Sequence, residues 1–138
     1  MQLLASEGEE FGVHKGFHII PGKVVPLKVM DYDENVYKLP HISWNRLSVS
    51  KCHTLTNNGS SLWSNSILDN LKEGAFVYFV HSNVFIPEDT DCCLAVTEYG
   101  GNVFCSVVKQ ENVYGCQFHP ERSDKVGLRI LSNFVYEI

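Results

Sequence analysis

The segment "CQFHPERSDKVG", residues 116–127, sets a histidine and a glutamate two positions apart around a proline. An imidazole with a carboxylate on one ring nitrogen has its tautomer set, and the other nitrogen is then free to act as a base. Pro120 fixes its own φ at about −65° and forces a turn that can fold Glu121 back toward His119. Along an extended stretch over 113–119, Val113, Gly115, Gln117 and His119 share one side. That leaves His119 at a strand exit, where the sites of open α/β sheets lie. The same short pattern also suits a plain structural role, with His119 closing a strand and Glu121 beginning a solvated loop.

A base needs a group to activate, and the chain's own nucleophile candidates are poor. Cys116 is three residues from His119 on the same expected strand, hence on its opposite face. Cys105 sits among apolar neighbours, where a thiol keeps its proton. Cys92 and Cys93 follow Asp91, whose charge disfavours a thiolate. Cys52 falls in a polar loop that nothing marks as special. No G-x-S-x-G elbow occurs.

The elements that must position these residues read as a mixture. "MQLLASEGEE" looks like the end of a short helix stopped at Gly8, with no entry signal before it. Residues 17–29 read as two short strands about the Pro21-Gly22 turn, and 31–38 as a polar turn. Residues 39–51 look extended. After a loop, Trp63, Ile67, Leu68 and Leu71 fall at helical spacing, closed by Gly74. "AFVYFV" (75–80) is a continuous apolar run, which predicts a strand buried on both faces and therefore in want of neighbours. Residues 92–119 give three strands joined by "YGGN" and "KQEN", an antiparallel meander. Ser123 or Asp124 can cap a last helix whose Val126, Ile130, Leu131 and Phe134 form one apolar face.

Composition narrows the function classes. The 138 residues allow one domain, with 44% apolar and 20% charged residues. Sixteen acidic against eleven basic residues, with no basic stripe, argue against nucleic acid and anionic membrane as partners. The longest apolar run is too short to span a bilayer. Five cysteines without a CxxC pair suit free thiols in the cytoplasm. His14, His18, His41 and His53 have no metal-ligand spacing, so no metal or other cofactor is expected. His81, at a strand end, reads as a satisfied structural histidine.

Taken in order, "IPGKVV" (20–25), "LPHISWN" (39–45), "YFVHS" (78–82), "TEYGG" (97–101) and "QFHPERS" (117–123) resemble class I glutamine amidotransferases. Within that family they are most similar to the glutaminase subunits of imidazole glycerol phosphate synthase. The resemblance implies an α/β fold, a flavodoxin-like open sheet with an antiparallel meander and flanking helices, of which this chain is the C-terminal part without the N-terminal parallel strands. It implies that "MQLL" follows a "C-L-G-M-Q" elbow, so that the nucleophile lies three residues ahead of Met1 and His119 and Glu121 are two-thirds of a Cys-His-Glu triad. It also implies that Gln2, Glu10 and the backbone at Ser82 and Asn83 hold the glutamine substrate. Trp44, Asn45 and Arg122 would face a (β/α)8 partner that consumes the ammonia. Ser43 replaces the family's usual glycine, Asn83 its commoner aromatic and Arg122 its lysine. These departures keep open a paralogue that feeds a sugar amidotransferase. A non-catalytic truncated remnant stays open too, as does a thiol or metal protein built on the five cysteines and six histidines.

Overall fold

The computed structural model describes residues 1–29, 37–50 and 63–136. Cys52, His53 and most of the expected 31–38 turn lie outside the described residues. The strands are β1 (Glu7–Gly8), β2 (His14–Lys15), β3 (Gly22–Pro26), β4 (His41–Arg46), β5 (Ser48–Val49), β6 (Phe76–His81), β7 (Asn83–Pro87), β8 (Cys93–Tyr99), β9 (Asn102–Gln110) and β10 (Val113–Cys116), followed by helix α1 (Asp124–Tyr136). They form one sheet in the order β2-β1-β3-β7, a second in the order β10-β9-β8-β5, and the two-stranded ribbon β4-β6. Within these, β1 and β3 run parallel and the other pairs antiparallel.

The meander forms as its turn chemistry requires. Gly100 and Gly101 both take positive φ, +57° and +74°, the pairing that a two-residue link between right-twisted strands demands. Glu111, in the next link, also has positive φ, at +53°. The larger core joins Leu47, Val77, Phe79, Ala95, Phe104, Val107, Phe118 and Ile130, and so ties the ribbon to the meander and the helix. A smaller core of Ala5, Ile20, Val24, Phe85, Cys92, Cys93, Cys105 and Val108 joins the first sheet to the meander.

Four expectations change. The opening element is a single 3-10 turn, Gln2–Leu4, ending at Ala5 rather than at Gly8. Residues 17–20 are not a strand, because their N–H groups are taken by the carbonyls of Leu3, Leu4 and Ala5. Residues 63–71 bury Trp63, Ile67 and Leu68 without being a helix. Asn65 and Asn70 are left-handed there, and the Ser66 hydroxyl bonds the Trp63 carbonyl and the Leu68 N–H in place of a helical ladder.

The fourth change concerns β6, which alternates instead of being buried on both faces. Val77 and Phe79 are fully buried, whereas Phe76 and Val80 are 46% and 36% exposed. One edge of β6 pairs with β4. At its other edge, Tyr78 engages the 119–123 turn through both its N–H and its carbonyl.

Helix α1 is also rotated from its expected face. Gly127, Ile130 and Asn133 point inward, while Leu131 and Phe134 are largely exposed. Gly127 sets this rotation, since a Cβ there would lie 1.8 Å from the Pro120 carbonyl oxygen. Only glycine lets the helix approach the turn so closely.

Candidate active site

The ladder of β10 against β9 ends at Cys116, and Gln117 adds one further N–H bond to the Ser106 carbonyl. The chain then crosses to β6, where the His119 N–H donates to the Tyr78 carbonyl at 2.9 Å. Pro120 opens a single 3-10 turn, Pro120–Arg122. Ser123, fully buried, clasps this turn. Its hydroxyl donates to the His119 carbonyl at 2.7 Å and accepts from the Tyr78 N–H at 3.0 Å.

Within this clasp, His119 Nδ1 lies 2.9 Å from Glu121 Oε1. A carboxylate only accepts, so Nδ1 carries the proton and Nε2 presents its lone pair. The Glu121 carboxyl is held below the usual carboxylate range, first by its own backbone N–H and then by the hydrogen bond and charge of His119.

His119 lines a cavity of about 490 Å³ together with Gln2, Glu10, Ser82, Asn83 and Cys116. Gln2 Nε2 donates to the Asn83 carbonyl at 3.3 Å, which ties the first turn of the chain to the β6–β7 corner. A smaller recess of about 210 Å³ adjoins across Gln2, Leu3 and Glu10. Five residues expected to act on glutamine therefore border one space, with Glu121 directly behind the imidazole.

This constellation decides which family comparison matters. A model of the family "Glutamine amidotransferase class-I" matches residues 1–138. The chain belongs to the class I glutamine amidotransferase family.

Membership in the amidotransferases places the mixed sheets and flanking helix in the α/β class. The chain is 42% identical over 135 residues to "Imidazole glycerol phosphate synthase subunit HisH 1" of Legionella pneumophila strain Lens, covering 98% of this chain and 60% of that protein. It is 43% identical over 136 residues to the subunit HisH of Syntrophotalea carbinolica, covering 97% of this chain and 59% of the relative. The HisH subunit of Archaeoglobus fulgidus matches at 43% over 135 residues, covering 98% of this chain and 59% of the relative. The chain thus spans about 60% of the length of the curated relatives it matches.

Cys116 requires a correction. It lines the same cavity as His119, because β10 stops at Cys116 and the strand alternation does not extend to residue 119. Burial pushes its thiol up to about 12, so it is a weak nucleophile on protonation grounds rather than by direction. Burial likewise pushes Cys92 up to about 11, with Cys93 and the nearby aspartates adding less. A hydrogen bond between Cys93 and Cys105 favours the thiol at Cys105, which is raised, and draws Cys93 below its ordinary value. The charge of Asp91 therefore does not govern Cys93, but both thiols are buried in the smaller core and neither lines the His119 cavity.

The residues expected at a partner interface divide between two faces. Ile42, Trp44 and Arg46 lie opposite Val80, Tyr78 and Phe76 across the β4–β6 ladder, and all six share its outer face. Trp44 is 48% exposed and meets the Tyr78 ring edge-on. Arg122 stands over that ring, 5.6 Å from its centroid. Asn45 is turned inward, where its amide donates to the Glu98 carbonyl at 2.8 Å. Among the described residues no cluster of His, Cys, Asp and Glu is arranged to hold a metal, and no helix is long and apolar enough to cross a membrane.

Proposed function

We propose that this chain is the His-Glu-bearing part of a glutaminase subunit that hydrolyses glutamine to glutamate. The ammonia passes to a (β/α)8 cyclase or synthase subunit, in the imidazole glycerol phosphate step of histidine biosynthesis. The observation that carries this reading is the 2.9 Å contact of His119 Nδ1 with Glu121 Oε1, at a cavity bordered by Gln2, Glu10, Ser82 and Asn83.

In this chemistry the sulfur belongs to the family's elbow cysteine, whose following residues "MQLL" matches. The sulfur attacks the side-chain amide carbon of glutamine. His119 Nε2 takes the thiol proton and returns it to the leaving ammonia, and water then hydrolyses the thioester. Glu121 keeps the Nδ1 proton in place and steadies the imidazolium. Backbone N–H groups near the elbow bind the tetrahedral oxygen. The Glu10 carboxylate faces the substrate's α-ammonium, the Gln2 amide lies along its path, and the backbone of Ser82 and Asn83 completes the seat. No cofactor takes part.

The outer face around Trp44 and Arg122 is the docking surface for the synthase subunit, in a cytoplasmic heterodimer. The half-exposed Trp44 and the Arg122–Tyr78 stack support this, being the residue types that anchor interfaces. Asn45 serves it only indirectly, by holding β4 in place. The reading as a sugar-amidotransferase paralogue finds no support in the names of the relatives.

The test is glutamate release by the complete amidotransferase with its synthase partner. The His119→Asn variant should lose at least about a hundredfold in kcat, the scale of a positioned proton transfer. Unchanged turnover would overturn the assignment. The 138-residue polypeptide by itself should release no ammonia from glutamine. Turnover that vanished on Cys52→Ala or Cys116→Ala would move the nucleophile into this chain.

A further inference from the structure

Two histidines that the glutaminase chemistry does not consume lie in the core beneath the cavity. His41 and His81 face each other across the β4–β6 ladder and are 0% and 6% exposed. Nδ1 of His41 stands 2.9 Å from Nε2 of His81, and Nδ1 of His81 stands 2.9 Å from the carbonyl oxygen of Asn83.

That carbonyl decides both tautomers. It can only accept, so the His81 proton sits on Nδ1 and its Nε2 is an acceptor. His41 must then donate through Nδ1, which leaves its own Nε2 as an acceptor facing the Asn45 amide nitrogen at 3.5 Å. Every hydrogen bond in the row points the same way, from Asn45 through His41 and His81 to Asn83. Burial holds both imidazoles below their ordinary range, so the row keeps this direction at neutral pH. The Asn83 carbonyl at its end is also the acceptor for Gln2 Nε2, at 3.3 Å.

We propose that His41 and His81 are positioning residues of the amidotransferase site. They hold the Asn83 carbonyl, and with it the Gln2 amide and the Ser82–Asn83 corner, from the strand that carries Trp44. An apolar pair would fill the same space beside Phe79, Tyr99 and Phe104 without losing hydration. It could not donate to Asn83. The inference rests on the glutaminase reading for its kinetic consequence and on geometry for the row itself.

Both parts are testable in the complete amidotransferase with its partner. Long-range proton–nitrogen correlation spectra of the wild-type protein should show His41 and His81 as Nδ1–H tautomers, and an Nε2–H tautomer at either would overturn the row. His41→Phe and His81→Phe should each raise KM for glutamine about tenfold, the worth of one hydrogen bond, while kcat changes less than about threefold. His41→Asn and His81→Asn, which keep a donor near the Nδ1 position, should recover most of that loss. Equal KM values for the Phe and Asn variants, or a kcat loss at constant KM, would reduce the pair to core packing. If a Phe variant does not fold, the Asn variants and the spectra still decide. A wild-type protein that hydrolyses no glutamine would instead defeat the glutaminase reading, and the spectra would still judge the row.

Discussion

The hydroxyl of Ser123 accepts a hydrogen bond from the backbone N–H of Tyr78 at 3.0 Å. Because the same hydroxyl donates to the His119 carbonyl, one buried side chain fixes the base-bearing turn against β6. Ser123→Ala leaves that N–H and that carbonyl without the partner they share. It should destabilise the fold by about 1–3 kcal/mol, measured by denaturant unfolding, and should lower kcat as well because His119 is no longer clamped. A variant as stable as the parent would show that water replaces the hydroxyl.

Gly127→Ala tests the close approach of helix and turn. The added Cβ would sit 1.8 Å from the Pro120 carbonyl oxygen and 2.8 Å from its carbon, both backbone atoms with little room to move. Overpacking of this kind costs about 1–3 kcal/mol. Thermal unfolding should show the loss even though alanine is the better helix former.

Acid should weaken the fold through the buried imidazoles. His41 is held down to about 4, by burial first and by the charge of His81 second, and His81 is lowered by burial. In the unfolded chain both titrate at about 6.5. Between those values the unfolded state binds more protons, so stability is full above the unfolded pKa and falls as pH drops toward the folded one. The slope should approach about 1.4 kcal/mol per pH unit for each ring that charges only on unfolding. Denaturant midpoints measured from neutral to mildly acid pH should fall, and His41→Phe should flatten the trend.

Neighbouring residues on β4 should separate binding from folding. Trp44→Ala, on the outer face, should weaken association with the synthase subunit by at least about tenfold, read by calorimetry, with the melting temperature unchanged. Asn45→Ala, on the inner face, removes the bond to the Glu98 carbonyl and should lower the melting temperature instead. Equal effects on both readouts would mean that the two faces are not independent.

Much of the site was legible because it is local. His119 and Glu121 are joined through Pro120, whose ring dictates the turn between them. The meander was legible because its links carry glycines and polar residues with few conformations open to them. Features set by tertiary registration were not. The His41–His81 row depends on two strands pairing across 40 positions, and no local pattern announces it. The sharing of one cavity by Cys116 and His119 depends on where β10 stops, which strand alternation cannot supply. Around residues 63–71, side-chain hydrogen bonds and left-handed asparagines outweighed helical spacing. On α1, one steric demand at Gly127 turned the helix away from its most apolar side.

The 3-10 turn from Pro120 to Arg122 belongs to two surfaces at once. Glu121 faces the imidazole, while its neighbour Arg122 lies over Tyr78 on the outside of the ribbon. A rigid link of one peptide unit therefore couples the posture of the proton carrier to whatever covers that aromatic ring. Charge-removing changes at Arg122 should register in turnover as well as in complex formation, and the two deficits should scale together.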